Sequence, residues 1–297
     1  MKIKPNAKIG LFYGVASFTM WGLFPVYFKL LSNVGATEGL AHRLFWSVIF
    51  LYFFIVFTHK TKSLTRILHK RKLVKKLLIS GVFITLNWGI YIYAVFSSQI
   101  LEASLGQLIN PLFFMFLGAI FLKERLNLAA KISIFIVFVA IAIQIYALGK
   151  IPFISIFLPA SFAIYGLLKK RLQIPPMEGL FIETMMFLPL TLGYVIYLEF
   201  SGVGSFTHGY TWILLILSGL VTIVPMITFN IAAKHLSLST LGFLQYTTPT
   251  IGVFLAVLAY GEHLNNAKIA SFILIWISIA IVSFDSYHRH KKHKPNA

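Results

Sequence analysis

The sequence predicts an all-α polytopic membrane protein of ten transmembrane helices, arranged as two inverted five-helix repeats. Three observations carry this expectation. Hydrophobic residues make up 58% of the chain and charged residues 11%, whereas soluble domains carry about 25% charge. Apolar stretches of roughly twenty residues, the length that crosses a bilayer core, recur along the whole chain. Finally, one run occurs twice. Gln107-x-x-Asn-Pro111, an apolar stretch and Glu124-Arg-Leu-Asn127 return as Gln245-x-x-Thr-Pro249, an apolar stretch and Glu262-His-Leu-Asn265, with the same spacing from proline to glutamate.

Other matches fall in the same order, which chance does not explain. Ser80-Gly81 pairs with Ser218-Gly219, Ala94 with Ala232 and Asn87 with Pro225. Ala16-Ser-Phe-x-x-Trp21-Gly-Leu23 echoes Ala160-Ser-Phe-x-x-Tyr165-Gly-Leu167, and Glu38-Gly-Leu40 echoes Glu178-Gly-Leu180. So long a period is foreign to solenoids and suits the halves of a duplicated membrane bundle. The expected units are 1–149 and 150–297.

The helices are expected at 9–29, 37–58, 76–97, 103–122, 130–149, 152–168, 179–199, 210–233, 239–260 and 267–284. The first follows a basic start (Lys2, Lys4, Lys8) and is too long for a signal-peptide core, so it is expected to stay uncleaved. Basic residues then gather on one side. With the N-terminus inside, inner segments collect Lys60 to Lys76, Lys123, Arg125, Lys131, Lys169, Lys170, Arg171, Lys234 and Arg289 to Lys294; outer segments hold Lys29, Lys150 and Lys268. This follows the positive-inside rule, with both termini cytoplasmic. The net charge of +18 is thereby a topology signal and not a nucleic-acid surface. Five crossings per repeat, an odd number, turn the second copy upside down relative to the first. Glycines such as Gly81, Gly106, Gly219 and Gly242 permit close helix approach, and apart from 59–75 the loops are short.

Ionisable residues inside the expected helices are few and costly, by about 2.5–3.5 kcal/mol on insertion scales. Arg43 is the clearest, with His42 beside it on helix two; Glu183 lies on helix seven. The register that lays Glu38 on Glu178 lays Arg43 on Glu183, making them repeat mates of opposite charge. Each sits roughly 9 Å from opposite surfaces at helical rise, which leaves a vertical gap of order 12 Å in a core about 30 Å thick. No direct salt bridge is expected. Arg43 would guard the outer side of a central cavity and Glu183 the inner side; alternatively each is tied to a neighbouring polar group. His42 reads equally well as a packing histidine.

Gln107, Asn110 and Pro111 share one helical face, as do Gln245, Thr248 and Pro249. Asn87, Trp88 and Tyr91 on helix three, with Trp21, Tyr165 and Tyr246, add amide and aromatic surface for a small organic ligand. Interhelical packing is the competing account of every one of them. Glu124 and Glu262, at helix ends, are expected to be structural. The basic run 59–76 offers a site for anionic lipid but reads more readily as a plain cytoplasmic anchor. The His288–His293 tail lacks metal-ligand spacing, the chain has no cysteine, and no catalytic set is present. No cofactor, metal or enzymatic activity is expected.

The duplicated five-helix plan resembles the drug/metabolite transporter superfamily in its EamA branch. Glu38-Gly-Leu-Ala-His-Arg43, Asn87-Trp88, Leu105-Gly-Gln-Leu-Ile-Asn-Pro111, Ser161-Phe-Ala-Ile-Tyr-Gly-Leu167, Glu183-Thr184 and Leu241-Gly-Phe-Leu-Gln-Tyr246 with Pro249 are similar to RarD-type permeases, called chloramphenicol-sensitive proteins. The chain departs from that pattern at Gln107, where an aromatic is usual. The resemblance implies a bacterial inner membrane, a cavity lined by helices one to four and six to nine, and peripheral fifth and tenth helices; a homodimer through those two helices is one assembly open to the chain. It also implies outward movement of small metabolites or amphipathic drugs. The expected function is a secondary transporter working by alternating access, driven by an ion gradient or the substrate's own. Proton coupling would rest on Glu183. A non-transporting scaffold or an intramembrane enzyme stands as the alternative.

Overall fold

The structure, a computed structural model, describes residues 6–96, 100–149, 153–172, 174–207 and 209–255, and isolated positions onward to Phe284. The described chain folds as helices throughout. α1 (Ala7–Gly22) and α2 (Phe24–Leu30) form one span broken at Leu23, with Pro25 in the first turn of α2. Asn6 caps α1 by accepting from Lys8 and Ile9 N–H. Next come α3 (Ala36–Phe57), α4 (Thr61–Leu68), α5 (Arg71–Phe96), α6 (Ile100–Leu122) and α7 (Leu128–Leu148).

The second half runs through α8 (Phe153–Arg171), α9 (Pro176–Met185), α10 (Leu188–Phe200), α11 (Thr211–His235), α12 (Leu238–Leu244) and α13 (Thr247–Phe254). α9 and α10 meet at a 57° bend. Among the described residues six helices are long and apolar enough to cross a membrane, seven if that bent pair counts as one. The end of the ninth expected helix, eight of the eighteen positions of the tenth, Glu262 to Asn265 and the basic tail lie outside the described residues. The loop expected over 59–75 instead holds α4, which buries Leu64 and Ile67 and exposes Lys62 and Arg66.

Large apolar side chains such as Phe12, Phe57, Phe138 and Phe200 stand on the outside, as lipid-facing helices require. Inside, the tightest packing joins one half of the chain to the other: α6 on α8, α1 on α11, α3 on α11, α5 on α8 and α6 on α12. The principal core threads through both halves, from Phe18, Leu51 and Phe114 to Tyr165, Phe229 and Leu241. Where α12 crosses α6, a side chain at Gly242 would meet the Pro111 carbonyl at 2.9 Å, so only glycine permits that approach. At the margin, Ser133 of α7 and Ser278 each donate a hydroxyl to the other's carbonyl, at 3.0 and 3.3 Å.

Candidate substrate cavity

Arg43 sits two turns into α3, half-buried, where a charge needs compensation. Its guanidinium lies over the rings of Phe24 (5.5 Å), Phe28 (5.4 Å) and Trp88 (5.7 Å), so aromatic faces supply part of that compensation. Its Nε donates to Thr222 Oγ1 at 2.9 Å, and the Thr222 hydroxyl donates on to the Ser218 carbonyl at 2.7 Å. No carboxylate pairs with Arg43 among the described residues. Phe24 and Phe28, four apart on α2, and Thr222 escaped sequence reasoning. The i, i+4 spacing of two phenylalanines just past Gly22 and flanking Pro25 was the available signal.

Arg43 belongs to the wall of a cavity of about 610 Å³, within the range of small-molecule sites. The wall comes from α1, α2, α3, α5, α6, α8, α11 and α13, with Gln245 at the α12–α13 junction. Of the residues singled out in the sequence, Trp21, Arg43, Asn87, Trp88, Tyr91, Gln107, Asn110 and Gln245 are brought together here. Asn87 donates its amide to the Leu158 carbonyl (2.7 Å) and lies 3.2 Å from Ser161 Oγ. Thr248 donates to the Phe18 carbonyl at 2.9 Å, joining α13 to α1. Asn110 Oδ1 and Gln245 Oε1 are buried with no hydrogen-bond partner among the described residues. Buried acceptors in that state are costly, and both belong to residues of the cavity wall. Pro111, inside α6, also deprives the Gln107 carbonyl of its usual N–H partner at this wall.

One end of the cavity reaches the α2–α3 connection at Leu31, Ser32 and Val34. The other is closed by packed rings. Phe18, Trp21 and Phe162 line it, and Phe114, Tyr165 and Phe229 lie beneath them, fully buried. Neighbouring centroids are 5.3–6.3 Å apart, as in Phe162–Phe229 at 5.3 Å and Phe114–Phe229 at 6.3 Å. Gly166 makes room for this layer, because a Cβ there would stand 2.6 Å from the Phe114 ring.

Four singled-out residues are placed elsewhere. Glu183 lies below the ring layer and off the cavity wall, paired to Lys169 Nζ at 2.9 Å with both side chains almost fully buried. The Tyr165 hydroxyl donates to Asn230 Oδ1 at 3.2 Å and lies 3.5 Å from Glu183 Oε2. Lys169 stands in the run Lys169-Lys170-Arg171, which conceals a buried partner among topology charges. Tyr246 is fully buried against a second core with Leu108 and Met115. His42 turns from the cavity and stacks on Phe206, 5.4 Å between centroids. The span formed by α9 and α10, expected on the wall, contributes no lining residue to this cavity among the described residues. Its α9 portion carries Glu183, which pairs with Lys169 of α8 instead.

Comparison with known proteins agrees with this architecture. The chain is 38% identical over 282 residues to the uncharacterized transporter YojE of Bacillus subtilis, covering 94% of this chain and 95% of the relative. It is 35% identical to Protein RarD of Escherichia coli, with 97% and 98% covered. A crystal structure superposes with a TM-score of 0.72 at 18% identity, over 93% of this chain and 97% of the other, a likeness of fold. The profile of the EamA-like transporter family matches twice, over residues 8–146 and again over 150–284. This multi-pass membrane protein, with its cavity between two copies of one sequence unit, therefore belongs to the EamA-like transporter family of the drug/metabolite transporter superfamily.

Proposed function

We propose that the protein is a secondary transporter that moves small organic metabolites or amphipathic drugs outward across a bacterial inner membrane by alternating access. The carrying observation is the cavity itself: a central space with aromatic walls and a few polar points, built from both halves of the chain. A scaffold has no use for such a space, and among the described residues its wall holds no pair of acid–base groups with which an enzyme could work.

Two features support the inverted arrangement and its motion. Helix pairings recur in exchanged form: α3 on α11 answers to α9 on α5, α1 on α11 to α8 on α5, and α1 on α13 to α6 on α8. These exchanges are what a two-fold axis relating the repeats produces. With the basic loops in the cytoplasm, the end at Leu31–Val34 faces outward, and the ring layer with the Lys169–Glu183 pair seals the inside. Rocking of one half on the other would open that seal and close the outer mouth.

The test is transport by full-length protein in sealed proteoliposomes, using radiolabelled exchange against a metabolite panel. Arg43→Ala is expected to insert and purify normally and to lose at least about tenfold in flux. Wild-type flux in that variant would remove Arg43 from the pathway. Absence of flux for every compound in the native protein would overturn the transporter reading.

A further inference from the structure

Resting on the transporter reading of the cavity, we infer that its substrates are organic anions, compounds with a carboxylate or comparable acidic group on an aromatic or apolar body, and that Arg43 holds the anionic end. Arg43 is the single charged residue among the described residues of the wall, and no carboxylate neutralises it there. One guanidinium nitrogen, Nε, is bonded to Thr222. The ring faces of Phe24, Phe28 and Trp88 hold the charge in place and shield it from water.

A guanidinium presents five donors in a planar fork matched to a carboxylate, and such charge-assisted pairs are the strongest hydrogen bonds a protein makes. A structural arginine this far inside a membrane would be expected to bond carbonyls or an acid on all sides. Here the compensation is left to rings and one hydroxyl, which suits a charge completed by a ligand. A cationic substrate would meet Arg43 with no acid to offset the repulsion. A neutral one would leave the guanidinium uncompensated as water is expelled. The rest of the wall, from Trp21 to Phe162 and Met226, is too apolar for an inorganic ion and suits an organic body.

The experiment uses the full chain in phosphatidylcholine nanodiscs and isothermal titration at pH 7 with 3-phenylpropionate and indole-3-acetate, each against its own amide. The acids should bind at least about tenfold more tightly than the amides, roughly one 1.4 kcal/mol step. In Arg43→Gln the two should bind within about twofold of each other, and Arg43→Lys should keep part of the preference. Amides binding as well as acids, acids that fail to bind, or a preference that survives Arg43→Gln would each overturn the inference. If Arg43→Gln does not fold, the acid–amide comparison on the native chain decides alone. A repeat in nanodiscs containing phosphatidylglycerol separates sources of the anion: loss of acid binding there would assign Arg43 to a lipid headgroup and overturn the inference. Proteoliposome flux separates it from the reading it rests on. An acid bound but never carried defeats transport and leaves the anion site, whereas acid and amide carried equally defeats the anion site and leaves transport.

Discussion

Glu183 and Lys169 show how a bundle tolerates charge far from water. Each carries a large desolvation cost, and each is stabilised by the other at 2.9 Å with Tyr165 alongside. Removing one partner strands the other, a loss of about 3–5 kcal/mol for buried pairs. Glu183→Gln should therefore lower the unfolding temperature markedly in detergent, and Glu183→Leu with Lys169→Met should recover most of it. The same Glu183→Gln protein in vesicles addresses coupling: if it still concentrates substrate against a gradient, protons do not enter through this carboxylate. At this scale the sequence pointed to the wall where a polar residue interrupted an apolar run, as with Arg43, Asn87 and Gln107. It was silent on Lys169, because a buried lysine and a topology lysine look alike within Lys169-Lys170-Arg171. Lys170 and Lys234 blur the distinction further, since their ammonium groups donate to the carbonyls of Leu236 and Ile174. The burial of Tyr165 and Tyr246 was also hidden, because tyrosine suits a cavity wall and a packed core equally well.

Among the elements, the two proline-centred runs share a motif and differ in shape. Pro111 lies inside a continuous α6, whereas the second copy breaks at Gln245–Tyr246 so that Pro249 falls in the first turn of α13. Proline fits a first turn without losing a hydrogen bond, so the same residue is accommodated in two ways. The repeat was legible; which copy would break was not, because the difference is made by tertiary contacts. Glu124 is an element-scale device whose position at a helix end was visible and whose partner was not. Its carboxylate accepts the Leu238 and Ser239 N–H groups at 2.8 and 3.1 Å and the Ser239 hydroxyl at 2.9 Å, so the segment just past α6 caps the start of α12. Glu124→Ala should cost about 1–3 kcal/mol by leaving those donors unmet, read as a lower unfolding temperature with the cavity residues unaltered. Glu124→Gln should fall between, since an amide oxygen accepts without the charge.

For the molecule as a whole, the decisive property is that α1 and α3 find their neighbours in α11, and α5 and α6 find theirs in α8. Apolar length and the doubled motif made the helices and the two units visible. They did not reveal how far the units interpenetrate, because hydropathy reports contact with lipid and not the choice of partner. One consequence concerns biosynthesis. As the ribosome delivers the amino-terminal segments to the membrane, the surfaces that will clasp α8 and α11 stay unclad until those helices are made. Residues 1–149 expressed alone should be degraded rapidly, and co-expression with 150–297 should restore a complex that survives detergent extraction and gel filtration. Accumulation of the isolated amino-terminal unit as a stable monomer would contradict this. The nascent protein thus passes through an interval of obligate dependence on lipid or on membrane chaperones, ended when its late-made counterpart arrives.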